Sequence, residues 1–234
     1  MPNLDFQIES AEAVRYAAAP ILNLNIRIQD MMPAVPIHNV MLQCQIQIEP
    51  VKRKYTPAEQ ESLLDLFGEP SRWSQTLKPL LWANTSVVIP GFTGQTKISV
   101  PISCTFDFNV AATKYFHGLL GGDVPVTVLF SGTIFHDGGE DGGLQISKIS
   151  WEREAKYRMP HRVWKDMMDV NYPNTAWLCL RRDVFEQLYR FKVSRGIPTW
   201  DQALESVLAN AGDAVGAGSA RTKDAAKDAS KADA

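Results

Sequence analysis

The sequence predicts an α+β protein: an antiparallel two-layer β-sandwich over residues 1–151 with one inserted helix near 57–67, a helical segment over 152–210 docked on the sandwich, and a disordered tail at 211–234. Three observations predict it. Apolar residues recur at every second position in most segments before Trp151, the period of a strand with one buried face. One strongly capped helical stretch interrupts them, and after Glu152 the apolar spacing lengthens to that of helices. Strands of about ten residues with no other helix between them favour a sandwich over a parallel βαβ sheet.

Leu4, Phe6 and Ile8 alternate with Asp5, Gln7 and Glu9, a short strand with one wet face, followed by an Ala-rich connection that Pro20 closes. Leu22, Leu24, Ile26 and Ile28 form the apolar side of a second strand, and Val40, Leu42, Cys44, Ile46 and Ile48 that of a third. The link between these two, with Pro33 and Pro36, is longer than a tight hairpin turn; antiparallel pairing of the two neighbours is expected, in a register the sequence does not reveal. Thr56-Pro57-Ala58-Glu59 has a hydroxyl at the N-cap, proline at the first helical position and glutamate at the third, and Gly68 ends the helix. Leu63, Leu64 and Phe67 make its apolar stripe. The stretch LLWANTSVVIP returns to the sheet before the loop GFTGQT.

Two long segments within Lys97–His136 are expected to be central strands. Ile98, Val100, Ile102, Cys104, Phe106 and Phe108 alternate in the first. In the second, Val124, Val126, Val128 and Phe130 share one face while Leu129 and Phe135 thicken the other, as for a strand covered on both sides. LQISKISW closes the series after the turn HDGGEDGG. Then Val163, Met167 and Val170, flanked by Trp164 and Met168, take helical spacing, as do Val184, Leu188 and Phe191 with Phe185 beside them and Gly196 as C-cap. Thr199-Trp200-Asp201-Gln202 is a second capping box that opens a last helix. From Ala211 onward the composition cannot form a core.

With 24 Lys and Arg against 26 Asp and Glu, the net charge of -2 gives no general reason to expect nucleic acid or an anionic membrane as partner. Cys44, Cys104 and Cys179 are far apart and form no metal-ligand spacing; they read as reduced thiols in a cytoplasmic protein. The acidic N-terminal stretch does not fit a secretory signal, and no window reaches the roughly 18 apolar residues of a membrane span.

The sequence carries an architecture more plainly than an activity. His38, His117, His136 and His161 show no metal-binding spacing, and GxSxG, GxGxxG and GxxxxGK[ST] are absent. Asp107, Asp137, Glu140 and Asp141 lack the ligand order of a calcium loop, and a solvated glycine-rich turn is the simpler reading. Lys52, Arg53 and Lys54 before the capped helix could meet an anion, although Glu59 and Pro57 in the first turn argue against it. No catalytic residue, metal ligand or cofactor is assigned. The six tryptophans, Trp73, Trp82, Trp151, Trp164, Trp177 and Trp200, lie outside the strand cores, three of them in the C-terminal part near Met167, Met168, Tyr172 and Tyr189. Interfaces favour Trp, Tyr, Met and Arg, so the partner-binding candidates are Trp200, Trp164, Tyr189 and Arg53.

The blocks CQIQIEPVKRKYTPAEQESLLDLFGEPSRW, PGFTGQT, CTFDFNVAATKYFHGL, VPVTVLFSGTIF and PNTAWLCLRRDVFEQL occur in an order that resembles a bacterial family built on a domain of unknown function, from Leu4 to about Leu208. Genes of that family often lie beside those of uptake nickel–iron hydrogenases. The resemblance implies an accessory or assembly role and transfers no catalytic residue. The first expectation is therefore a non-enzymatic adaptor that binds another protein, with a hydrogenase component as the implied partner. The second is a carrier of a small molecule or metal in a pocket between sheet and helices, lined by Trp151, Trp164 and His161. A hydrolase with a scattered site is the third.

Overall fold

The computed structural model describes residues 1–32, 35–138 and 142–210, which fall into two compact units, one up to Ala176 and one from Trp177 onward. Pro33, Glu140, Asp141 and the expected tail at 211–234 lie outside the described residues.

In the first unit, alternating segments become strands β1 (Leu4–Ala13), β2 (Ile21–Asp30), β3 (Ile37–Ile48), β4 (Leu80–Phe92), β5 (Gln95–Ser103), β6 (Asp123–Asp137), β7 (Leu144–Lys148) and β8 (Glu154–Pro160). All pairings are antiparallel. One sheet has the order β1-β2-β5, with Leu24 opposite Val100 and Ile26 opposite Ile98. The other runs β4-β3-β6, and the far edge of β6 is shared between β7 and β8. The rings of Phe6 and Phe130 stack at 4.2 Å between centroids and join the two layers. Burying each such ring contributes about 1.5–3 kcal/mol.

Three expectations about the strands need correction. β2 and β3 do not pair; each sits in the middle of its own sheet, so the link between them crosses from one layer to the other. β5 is an edge strand, and it stops at Ser103, where the Cys104 N–H donates to the Pro20 carbonyl and the chain turns. Phe106 remains buried, but Phe108 falls in that turn and is exposed. The segment after Glu152 is not helical throughout, because β8 comes first, with Ala155 and Met159 buried.

Two helical insertions ride on the sandwich. Between β3 and β4 lie α1 (Pro57–Ser62), α2 (Leu64–Phe67) and α3 (Trp73–Thr76). The expected capping box is present, Thr56 accepting from the Glu59 N–H while the Glu59 carboxylate returns to the Thr56 N–H. The helix breaks at Leu63, so that Leu63 and Phe67 are buried while Leu64 faces outward. Between β5 and β6 lies a helix the alternation concealed, α4 (Val110–His117), capped by Asn109 and burying Ala112, Tyr115 and Phe116. α5 (His161–Asn171) completes the unit by burying His161, Trp164, Met167 and Met168; Val170 of the expected stripe is exposed.

The second unit is a helical hairpin. α6 (Arg182–Ser194) ends at Gly196, whose φ of +65° is a left-handed C-cap, with the Ile197 N–H donating to the Lys192 carbonyl. The Thr199 hydroxyl accepts from the Gln202 N–H and starts α7 over residues 200–210. Among the described residues no helix is long and apolar enough to cross a membrane.

Candidate functional site

Arg53 follows β3 and a short 3-10 turn, and its side chain is turned inward with 9% of its surface exposed. Its guanidinium pairs with the Glu59 carboxylate and donates to the carbonyls of Gly121 (2.6 Å) and Asp123 (3.0 Å). Burial of Glu59 works against its charge, but hydrogen bonds from the Thr56 and Leu120 backbones and the Arg53 partner outweigh it and hold the carboxyl below the usual range. The Glu59 carboxylate thus occupies the N-terminus of α1, and Lys52 is taken up by Glu49 at 3.2 Å. This cluster stitches the first insertion to the loop before β6. Arg53 therefore leaves the set of partner-binding candidates, and against the anion reading of this patch stand the carboxylates of Glu49 and Glu59, which already pair with Lys52 and Arg53.

Trp164 is also interior. It stacks on Phe116 at 4.8 Å and meets His117 edge-on at 5.0 Å, so it too leaves the partner-binding set. It does line a cleft of about 370 Å³ between α4 and α5, with His117, His161, Lys165, Asp169 and Tyr172. His161 hydrogen-bonds the Phe116 carbonyl through Nε2 at 2.9 Å; the partner is an acceptor, so Nε2 carries the proton and Nδ1 a lone pair. Desolvation, aided by nearby cations, lowers both imidazoles below the ordinary histidine value. The pocket was expected between sheet and helices; this cleft is lined by Trp164 and His161 but by no strand residue, and Trp151, 85% exposed, does not line it. Among the described residues no three His, Cys, Asp or Glu side chains gather as a metal site would require.

Tyr189 and Trp200 are brought together in the second unit. Trp200 lies 5.3 Å from Phe185 and 6.4 Å from Tyr189, and the Lys192 ammonium stands 5.6 Å over its indole. Trp200 remains 38% exposed, Phe185 46% and Tyr189 53%. Among the described residues of this unit only Ala203 is buried. Phe185 belongs to this cluster and was not singled out from the sequence as a candidate, although its four-residue spacing from Tyr189 placed the two on one helix face.

Residues 1–215 match the family of unknown function DUF6084. The chain belongs to this family. No curated protein matches it. Among solved structures it is similar to β-glucosidase 3B from Thermotoga neapolitana in complex with α-D-glucose, at 10% identity and a TM-score of 0.24. That likeness covers 67% of this chain and 17% of the glucosidase, so the chain spans a small part of that enzyme's length. It carries no argument about this protein.

Proposed function

We propose that this DUF6084 member is a non-enzymatic accessory or adaptor protein that binds another protein through its C-terminal helical unit. The observation that supports this is the exposed apolar surface of that unit, where Phe185, Tyr189 and Trp200 touch one another and only Ala203 is buried among the described residues. A hairpin with so little interior gains its stability from whatever covers it. The resemblance to a hydrogenase-linked bacterial family makes a hydrogenase component the first partner to test, in assembly or maturation and in the cytoplasm. Affinity capture from the native host with the full chain as bait tests the reading. A hydrogenase component should be retained, and Trp200→Ala should weaken its capture by a hot-spot amount, roughly 2 kcal/mol or more, with little change in thermal stability. If stability falls and capture by the folded fraction does not, Trp200 only staples the hairpin.

A second reading is favoured by the cleft between α4 and α5, whose volume and mixed aromatic and polar lining suit a small-molecule carrier. Native mass spectrometry of protein purified from the host would reveal a retained ligand, and a Trp164 variant that stays folded should release it.

A further inference from the structure

The uncovered face of the hairpin has a charge pattern that points to its occupant. On α6 the exposed Phe185, Tyr189 and Val193 recur every four residues, and on α7 Trp200, Leu204 and Val207 recur at four and three. Because Trp200 touches Phe185 and Tyr189, the two stripes lie on the same side of the hairpin. Its two edges differ in sign. Along α6 run Arg182, Glu186 and Arg190, where two guanidiniums share one carboxylate at 3.1 and 4.0 Å and leave a positive surplus. Along α7 run Asp201 and Glu205, both exposed.

We propose that in the isolated protein this face is closed by a second copy of the chain, the two hairpins stacking as a four-helix bundle with α6 of each copy against α7 of the other. The proposal rests on the reading of this unit as a docking element, and a client protein would bind by exchanging with the second copy. Two-fold symmetry demands a patch that complements itself. Stacking α6 on α6 would set Arg182 and Arg190 against their own copies and Asp201 and Glu205 against theirs, and such like-charge contacts are unfavourable. Turning the second hairpin about an axis parallel to the helices places basic edge against acidic edge on both sides and makes neighbouring helices antiparallel, the bundle arrangement that also opposes their dipoles. The acidic edge disfavours an anionic bilayer as occupant, since surface helices of that kind are basic along their polar side.

Light scattering and sedimentation equilibrium on the full chain test this, with two charge-reversal variants, Arg182→Glu with Arg190→Glu and Asp201→Lys with Glu205→Lys, whose helix content is checked by circular dichroism. The wild type should be a dimer. Each variant alone should pair about tenfold more weakly or worse at low salt, and an equimolar mixture of the two should recover a dimer containing one of each. A wild type that is monomeric at all concentrations, or a dimer indifferent to both reversals, overturns the proposal. If such a monomer still captures a host protein through Trp200, the docking reading survives without self-pairing; if it captures nothing, both fall.

Discussion

The β6 strand of the sandwich and the α6 helix of the hairpin are both rich in aromatic and branched apolar residues, yet they end in opposite situations. In β6, Val124, Val126, Val128 and Phe130 are all buried, because one face meets the opposing sheet and both edges are hydrogen-bonded to neighbours. In α6 no residue is buried, and Phe185 and Tyr189 keep about half their surface. The difference teaches that apolar content alone does not make a core. A strand in a sandwich has its covering layer in the same chain, whereas a two-helix hairpin supplies cover for only one stripe of each helix.

The largest effect that could break this contrast comes from matched truncations. Phe106 packs 4.7 Å from Tyr172 and 5.6 Å from His117 inside the first unit, so Phe106→Ala should cost roughly 3–5 kcal/mol in denaturant unfolding. Phe185→Ala should cost under about 1 kcal/mol in the same assay at dilutions where the chain is monomeric, as exposed positions do. Equal losses would mean that α6 is as interior as the sandwich.

Acid should also separate the units, because every histidine lies in the first. His117 and His161 have folded values lowered chiefly by desolvation, so the unfolded chain binds protons first. The stability they contribute is present above the unfolded value of about 6.5 and is lost as pH falls from there through their lower folded values. A melting temperature indifferent to pH between 7 and 5 in the wild type would contradict their burial. His161→Phe should flatten the dependence.

A smaller effect compares the two caps. Thr56 takes part in a reciprocal box, whereas the Thr199 hydroxyl makes one bond at 3.3 Å. Thr56→Ala should cost about 1 kcal/mol and Thr199→Ala less in the unfolding of the whole chain, measured side by side. Thiol labelling probes the contrast without altering stability. Burial pushes the Cys44 and Cys104 thiols up to about 12, so both should resist alkylation until unfolding, while the exposed Cys179 reacts at once. Rapid native labelling of Cys44 would sink the sandwich assignment.

The strands were legible because a half-buried sheet writes its period directly into the sequence, as Leu22 to Ile28 and Val40 to Ile48 do. Which strands pair was not, since β2 and β3 carry the same alternation whichever sheet receives them. α4 was legible and overlooked: Ala112, Tyr115 and Phe116 have helical spacing between an Asn109 cap and Gly118, but the preceding Phe106 and Phe108 continued a strand rhythm into it. β8 likewise shows Ala155, Tyr157 and Met159 alternating with charges. At the candidate sites, residue type did not tell display from burial. Tyr189 and Trp200 emerged together, while Arg53 was drawn inward by nearby Glu59 together with the Gly121 and Asp123 carbonyls, and Trp164 by Phe116; the last three partners lie far along the chain, where no local spacing reveals them.

One feature of β6 governs how the sandwich could loosen. Its far edge pairs with β8 over Asp123–Leu129 and with β7 over Thr133–Asp137, and the handover falls at Gly132, whose φ of +146° and 2.1 Å approach of a would-be Cβ to the Met41 carbonyl admit no side chain. The Phe130 N–H and the Gly132 carbonyl bond to the Arg153 carbonyl and the Ile149 N–H, one on each side of the break. β6 is therefore a spine with two separately hinged leaves. The β7 leaf, five residues long, should exchange its amide protons faster than the β8 leaf, which carries α5 behind it, and equal protection of the two would contradict this.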